Sequence, residues 1–206
     1  MSRNHRCYAG WLGLASAILL ACGTSYYTSV LPDYSAVRQT ISELSAFGTP
    51  LADRINYGLF LPVGLLQWAA VMLGRSAYPE HSLMERRALL MFSWVGLAYA
   101  LCAIFPCDPG SPLLGSWRQQ IHNLFGALEY LGGGLGLIWL GGTERFAGHL
   151  SGTALTISGA LVLYCLLLIA IPDLAFRGLI QRFADGLLFG WLALASAAQL
   201  NLPQKG

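Results

Sequence analysis

Six apolar stretches divide this chain of 206 residues, and each is long enough to cross a lipid bilayer. A spanning helix needs about 20 predominantly apolar residues. Because backbone polar groups inside a bilayer must be satisfied within the protein, the pattern predicts an all-α integral membrane bundle of six transmembrane helices. We expect one transmembrane domain over residues 1–206, with spans near residues 8–30, 55–74, 88–105, 123–140, 150–171 and 183–200.

The composition agrees with a chain immersed in lipid. Hydrophobic residues make up 55% and charged residues only 11%, whereas soluble domains carry about 25% charged residues. The net charge is +2 and the basic residues are scattered. Nucleic acid binding needs a clustered basic face, so we expect no nucleic acid partner. The nearest partner of such a chain is membrane lipid.

The basic residues predict an orientation. The end of the bundle with both termini would hold seven of them, Arg3, Arg6, Arg75, Arg86, Arg87, Arg145 and Lys205. The other end would hold five, Arg38, Arg54, Arg118, Arg177 and Arg182. Positive residues mark the cytoplasmic side, so both termini are predicted to be cytoplasmic.

The stretch that ends at Cys22 resembles a lipoprotein signal, but the apolar run continues, and we expect an uncleaved first helix.

The first loop, Leu31 to Arg54, is the most patterned one. Its apolar residues recur at helical spacing, namely Val37, Ile41, Leu44 and Phe47. Polar residues, Glu43 and Ser45 among them, fill the remaining surface. Such a segment is typical of a short interfacial helix with its apolar face toward the membrane. Two interpretations are open, a cap on the bundle or a lid over a site that opens outward.

Polar residues gather at the end of the bundle that carries this loop, and no comparable group is predicted at the other end. If they form a ligand site, its candidate residues are Asp33, Ser42, Glu43, Asp108, His122, Glu129, Arg182 and Asp185. One-sided clustering of polar groups around an apolar cavity is typical of small-molecule sites.

The fourth span is the most informative. His122, Gly126, Glu129, Gly133 and Gly136 are spaced four, three, four and three residues apart, so they share one helix face. Glu129 would lie two turns inside the membrane, where a carboxylate must be paired, protonated or in a wet cavity. Its candidate partners are Arg182, Arg118 and a neutral hydroxyl group. A buried hydrogen-bond anchor and a ligand or proton site are both open.

Simpler structural roles exist for the other candidates. His122 opens a helix near the interface, Asp108 precedes the turn residues Pro109 and Gly110, and Asp185 follows Arg182 by three residues.

We expect no metal site and no cofactor, since the remaining histidines, His5, His81 and His149, are predicted at the opposite end. We also expect no disulfide between Cys102 and Cys107. Two Gly-xxx-Gly faces, Gly132–Gly136 and Gly186–Gly190, indicate a homo-oligomer.

Three motifs resemble one known family. They are Leu31-Pro32-Asp33-Tyr34-Ser35 with Thr40-Ile41-Ser42-Glu43-Leu44, then Phe105-Pro106-Cys107-Asp108 with His122, and Gly178-Leu179-Ile180-Gln181-Arg182. The chain is similar in these to domain-of-unknown-function family 998. The resemblance runs from the first span to the last. It implies a compact membrane protein of about six helices, in the cell membrane of a prokaryote, and no established activity.

Three functions fit these residues. The first is binding of a lipid headgroup or small amphiphile in an outward-facing polar cavity, with Arg182 opposite anionic groups. The second is a membrane-embedded lipid hydrolase or transferase that uses Asp108, His122 and Glu129 as acid and base. The third is a small transporter. A purely structural role through the glycine faces is also open.

Overall fold

The computed structural model describes residues 3–77, 81–171 and 173–201; the side chain of Arg3 and the whole of Lys205 lie outside the described part. Within these ranges six helices are long and apolar enough to cross a membrane. This confirms the all-α bundle of six transmembrane helices. The first span is α1, Arg3–Val30; the fourth, fifth and sixth are α6, Trp117–Gly141, α7, Leu150–Ile169, and α8, Arg177–Asn201.

Two spans are interrupted. The second span consists of α2, Ala52–Ile55, a π-helical segment, Asn56–Phe60, and α3, Leu61–Ala77. The third span consists of α4, Leu83–Phe92, and α5, Trp94–Ile104. Interruptions free backbone groups, which must find partners where water is absent. At the second break the side-chain amide of Gln67, fully buried, donates to the carbonyl of Phe92 over 3.3 Å.

The fourth and sixth spans begin earlier than the predicted residues 123 and 183. α6 starts at Trp117 because Ser116 caps it, its Oγ accepting the backbone N–H of Gln119 at 3.3 Å. α8 starts at Arg177. In both helices the first turns carry polar and charged residues, which an apolar pattern assigns to the loops. These turns bring His122 and Arg182 into helices.

The six spans form a ring. Each span packs against the next along the chain, and α8 also packs against α1, which closes the circle. Because the number of described spans is even, the start of α1 and the end of α8 lie at one end of the bundle, here called the terminal end. The other end, called the loop end, carries the loops 31–51, 105–116 and 170–176. An axis through the ring therefore connects the two ends of the bundle.

Glycines let neighbouring helices approach closely. A Cβ built on Gly64 of α3 would lie 2.5 Å from the backbone nitrogen of Ala100 and from the carbonyl oxygen of Gly96, both on α5. A Cβ on Gly136 of α6 would lie 2.9 Å from the backbone nitrogen of Phe92. These crossings bring backbones into contact, as small residues allow in membrane helices.

The predicted helix of the first loop is a single 3-10 turn, Ile41–Ser45, which we call the loop turn. It lies on the bundle with Ile41 and Leu44 buried, while Val37 and Phe47 are exposed. Glu43 and Ser45, predicted on the polar surface, are also buried. Their burial follows from the tighter 3-10 winding, in which residues three apart eclipse and the helical face expected from an α-helix is not formed.

The crossing of α3 and α5 predicts a large stability difference between two glycine substitutions. Gly64→Leu should lower the free energy of unfolding by about 1–3 kcal/mol or more, since no space exists for its side chain. Gly58→Leu is the matched control, because Gly58 is exposed and nothing lies within 4 Å of a Cβ built there. Thermal unfolding of the detergent-solubilised proteins measures the difference. Equal melting temperatures for the two variants would contradict the close crossing.

Candidate functional site

The loop turn closes the loop end of the ring. Its first backbone N–H, that of Ile41, donates to Oε1 of Gln181 on α8 over 2.5 Å. From the second span, the side-chain amide of Asn56 donates to the carbonyl of Ser45 over 3.0 Å. Asn56 belongs to the π-helical segment, and such bulges are frequent at functional sites. The turn is thereby tied to helices on two sides of the ring.

Arg182 fastens the first loop from below. Its guanidinium donates to the carbonyls of Ala36 and Gln39, at 2.9 and 3.0 Å, and to the hydroxyl of Tyr34 at 2.6 Å. The Tyr34 hydroxyl in turn donates to the carbonyl of Thr40 over 2.7 Å. Burial raises the pKa of Tyr34 to about 12, although Arg182 acts in the opposite direction. Arg182 therefore holds the loop and is not directed at a carboxylate.

Arg177, which is buried, fastens the other two loops. Its guanidinium donates to the carbonyl of Ile169 at the end of α7 over 3.1 Å. It also donates to the carbonyls of Gly110 and Ser111 in the loop after α5, at 3.3 and 3.1 Å. Arg118, the remaining candidate partner for Glu129, stacks on Phe47, with its guanidinium carbon 3.4 Å from the ring centroid. Among the described residues, neither Arg182 nor Arg118 forms an ion pair with Glu129 or Asp185.

Beneath the loop turn lies a small cavity of about 50 Å³. We call it the acidic pocket, since two buried acids, Glu129 and Asp185, lie at or beside it. It is lined by residues of the first loop, the second, third and fourth spans and the start of α8, among them Ser42, Asn56, Tyr99, His122, Glu129 and Gln181. A volume of this size holds water molecules or one small polar group, whereas sites for drug-sized ligands occupy about 300–1,000 Å³.

Glu129 is the polar group that the acidic pocket leaves unsatisfied. It is 4% exposed, and its Oε1 is fully buried with no hydrogen-bond partner among the described residues. Gly126, one turn away, leaves the wall open, because nothing lies within 4 Å of a Cβ built there. A buried carboxyl oxygen without a donor is costly, so water, a proton or a ligand must satisfy it.

Asp185, next to the pocket, is fully partnered. The hydroxyl of Tyr99 donates to its Oδ2 over 2.5 Å, and the hydroxyl of Tyr130 donates to its Oδ1 over 2.8 Å. The predicted ion pair with Arg182, three residues earlier, is not formed, because Arg182 is engaged by the first loop. Two tyrosines thus hold the Asp185 carboxyl group beneath the pocket that Tyr130 also lines.

His122 lies in the pocket wall two turns above Glu129. Its Nδ1 is 2.8 Å from the carbonyl oxygen of Phe105. Because a carbonyl only accepts, Nδ1 carries the proton, and in the neutral ring Nε2 remains as an acceptor. His122 and Glu129, predicted on one helix face, therefore line the same pocket.

Asp108 does not join them. Its two carboxylate oxygens accept the backbone N–H and the hydroxyl of Ser116, at 2.7 and 2.8 Å, just before α6. These hydrogen bonds lower the pKa of Asp108 below its ordinary value. The carboxylate therefore orders the turn that precedes the helix, and it does not line the acidic pocket. The hydrolase alternative gains no support from this placement in the form that pairs Asp108 with His122; the form that pairs Glu129 with His122 stays a prediction.

The remaining candidates divide between the loop and the pocket. Asp33 is exposed at the surface and lines no part of the pocket. Glu43 is buried, and its Oε1 accepts the backbone N–H and the hydroxyl of Thr40, at 2.9 and 3.0 Å, so it shapes the loop turn. Ser42 lines the pocket. Among the described residues no group of three or more potential metal ligands lies together.

A second, larger cavity occupies the terminal end of the ring. We call it the terminal cavity; its volume is about 440 Å³ and residues of all six spans line it. Apolar side chains form most of its wall, for example Ala70, Phe92, Leu137, Leu155 and Leu192. This end had been expected to carry no comparable site. The cavity arises from small and apolar residues on six separate helices, a pattern that no single stretch of sequence displays.

Several functional side chains were not predicted. Tyr99 and Tyr130 bind Asp185, and Asn56 and Gln181 bind the loop turn. A polar side chain within an apolar run is the signal that they share, since it needs an internal partner in a membrane. That signal marks them as anchors, but it does not identify the partner on another helix.

The closed loop end predicts selective protection of one thiol. Cys107 is 1% exposed, its Sγ donates to the carbonyl of Ser42, and burial raises its pKa to about 12. In a Cys7→Ser/Cys22→Ser background, N-ethylmaleimide should leave Cys107 unmodified in the folded protein and modify it after denaturation. Arg182→Gln, which releases the first loop, should accelerate the labelling, whereas Arg54→Gln, at an exposed site, should not. Mass spectrometry of peptides gives the rate at which Cys107 is modified. Rapid modification of Cys107 in the folded Arg54→Gln protein would show that the loop end is not closed.

No curated protein and no solved structure matches the chain significantly. The family of proteins of unknown function DUF998 matches over residues 9–198, from the first span to the last. This range contains the loop turn, Arg177 and Arg182, the acidic pocket and every lining residue of the terminal cavity except Gln199. The chain is therefore a multi-pass membrane protein that belongs to the DUF998 family.

Proposed function

We propose that this protein is a membrane-embedded binding protein whose acidic pocket takes the polar end of a membrane lipid or small amphiphile. The observation that carries the proposal is Glu129. Its Oε1 is buried without a partner among the described residues, in a pocket that His122 also lines. A hydrogen-bond donor on a ligand satisfies that oxygen, and the loop turn above it forms the cover.

The chemistry of the pocket favours a donor with positive charge. Two buried carboxyl groups are present, because Glu129 lines the pocket and Asp185 is bound by Tyr99 and Tyr130, which also line it. Arg182 donates its hydrogen bonds to the first loop and forms no ion pair with either carboxyl group among the described residues. Carboxyl groups so placed are both ionised only when a cation is near. A primary ammonium group, the end of an ethanolamine headgroup for example, supplies both the charge and the donors.

The size of the pocket limits how much of the ligand enters. About 50 Å³ accepts a terminal amine or hydroxyl group but not a complete headgroup. The rest of the amphiphile would remain outside the loop turn. This refines the sequence-based hypothesis, in which Arg182 opposed an anionic headgroup, since Arg182 donates its hydrogen bonds to the first loop.

We also propose that the loop end faces away from the cytoplasm, in the cell membrane of a prokaryote, with both termini cytoplasmic. The short loop between the second and third spans supports it, because Arg75, Arg86 and Arg87 lie at the terminal end. In this orientation the acidic pocket draws its ligand from the outer leaflet.

We also propose that any homo-oligomer uses α8. Gly132 and Gly136 pack against the third span inside the ring, so their face is occupied. Gly186 and Gly190 have nothing within 4 Å of a built Cβ, and their face is open to a second copy.

Transport is the second candidate function, and the arrangement of the two cavities favours it. The acidic pocket and the terminal cavity lie toward opposite ends of the ring. Between the residues that line them, Val95, Gly133 and Leu188 form an apolar layer on three spans. Substrate sites near the midplane with access from alternating sides are typical of transporters. The test is the uptake of methylammonium into proteoliposomes. Uptake by the wild-type protein that is lost in Glu129→Gln would favour transport over binding alone.

The binding proposal predicts that Glu129 determines lipid retention. Phosphatidylethanolamine should bind wild-type protein roughly tenfold more tightly than it binds Glu129→Gln, because a charge-assisted hydrogen bond is lost. Phosphatidylglycerol should bind both forms equally. Native mass spectrometry of the purified proteins, titrated with each lipid, gives the two affinities.

Glu144→Gln is the matched control, since Glu144 is an exposed residue at the terminal end. It should retain phosphatidylethanolamine as wild-type protein does. Equal retention by wild-type protein, Glu129→Gln and Glu144→Gln would remove Glu129 from ligand binding and overturn the proposed function.

A further inference from the structure

The terminal cavity is a second site of different character. Its volume of about 440 Å³ falls within the range of small-molecule sites, far above that of the acidic pocket. Its wall is apolar, and it reaches from the terminal end to Phe92 and Leu137, next to the apolar layer. Leu194 lines the cavity and is 63% exposed, so the cavity is open at that position.

An apolar wall selects the occupant. Water needs two to four polar partners in a buried site, and apolar cavities of sufficient size instead bind apolar molecules. The wall offers few such partners, with Ala70, Val71, Leu140 and Leu155 around the space. Within a membrane the abundant apolar molecule of elongated shape is a hydrocarbon chain. The cavity therefore fits an acyl chain.

The charged residues Arg75, Glu85 and Arg145 line the terminal cavity at its mouth and determine which headgroup fits there. Glu85 is matched within the protein, as its Oε1 is 3.2 Å from Nε of Arg145 and its Oε2 accepts the N–H of Ser82. Among the described residues no carboxylate forms an ion pair with Arg75. Its Nε donates to the carbonyl of Arg86 at 3.0 Å, and its two terminal nitrogens make no hydrogen bond to the described residues. The mouth thus presents a positive charge with free donors, which favours an anion.

A neutral acceptor accompanies this charge. Gln199 on α8 lines the cavity, and its Oε1 is buried with no partner among the described residues. A hydroxyl group on a ligand would satisfy this oxygen, whereas an ionised carboxylate, which only accepts hydrogen bonds, would be bound by Arg75. Arg75 and Gln199 therefore offer a donor and an acceptor at the boundary between the apolar wall and solvent.

From these contacts we infer that the terminal cavity binds a single-chain anionic amphiphile of the fatty-acid class, with its chain in the cavity and its carboxylate at Arg75. The inference does not depend on the acidic pocket, which lies beyond the apolar layer and favours the opposite charge. The bundle then holds two amphiphile sites of opposite charge preference at its two ends.

Two alanines of α8 test the position of the chain. Ala195 and Ala198 line the cavity and are exposed, so a larger side chain enters the open space without displacing a helix. Ala195→Trp and Ala198→Trp should each weaken palmitate binding by roughly tenfold or more. Ala15→Trp, on the exposed side of α1 away from the cavity, is the matched control and should bind palmitate as wild-type protein does.

Substitution of Arg75 tests whether the carboxylate of the ligand binds at this residue. Arg75→Gln should weaken palmitate binding by roughly tenfold, as expected for the loss of a charged partner. Binding of hexadecanol, which has the same chain and no charge, should be unchanged. Arg87→Gln removes an exposed arginine of the same end that does not line the cavity, and it should have no effect.

Native mass spectrometry with palmitate and hexadecanol supplies all of these affinities, and thermal unfolding without ligand verifies that each variant is folded. Absence of palmitate binding to folded wild-type protein, or unchanged binding by both tryptophan variants, would overturn the inference. Equal loss of palmitate and hexadecanol in Arg75→Gln would overturn the headgroup assignment. Glu129→Gln should bind palmitate normally, so failure of this inference is distinguishable from failure of the proposed function.

Discussion

The loop end of this bundle depends on arginine side chains that donate to backbone carbonyls. Loops without secondary structure leave carbonyl groups without hydrogen-bond donors. Because few water molecules are available near the membrane, the protein itself must supply these donors. Arg182 donates to carbonyls of the first loop, and Arg177 donates to carbonyls of the loop after α5 and to that of Ile169 at the end of α7. The planar guanidinium supplies several donors in fixed directions. Two residues near the start of α8 thereby fix all three loops over the ring, and the acidic pocket exists because they do.

The count of spans was predictable because each apolar run satisfies the length that a bilayer requires. The starts of α6 and α8 were not, since their first turns carry polar residues such as Gln119 and Arg182. The loop turn was predicted as a helix, but its burial of Glu43 depends on the Thr40 hydrogen bonds. Local spacing thus identified the elements and not their winding.

The candidate site was partly predictable for the same reason. His122 and Glu129 share a helix face by spacing, and both line the acidic pocket. The partners of Asp185 were not predictable, because Tyr99 and Tyr130 come from two other places in the chain. The terminal cavity was missed altogether. It depends on how six helices pack around an axis, and its wall residues look like ordinary membrane helix.

The π-helical segment Asn56–Phe60 changes which residues of the second span share a helix face. A π turn contains one more residue than the α-helical turn it replaces, so the faces of α2 and α3 are offset by about 100° along the chain. A helical wheel drawn through the whole span assigns residues on one side of the segment to the wrong neighbour. Aligned sequences with one residue fewer here would retain the helix yet turn Asn56 away from Ser45, and the loop turn would lose its anchor.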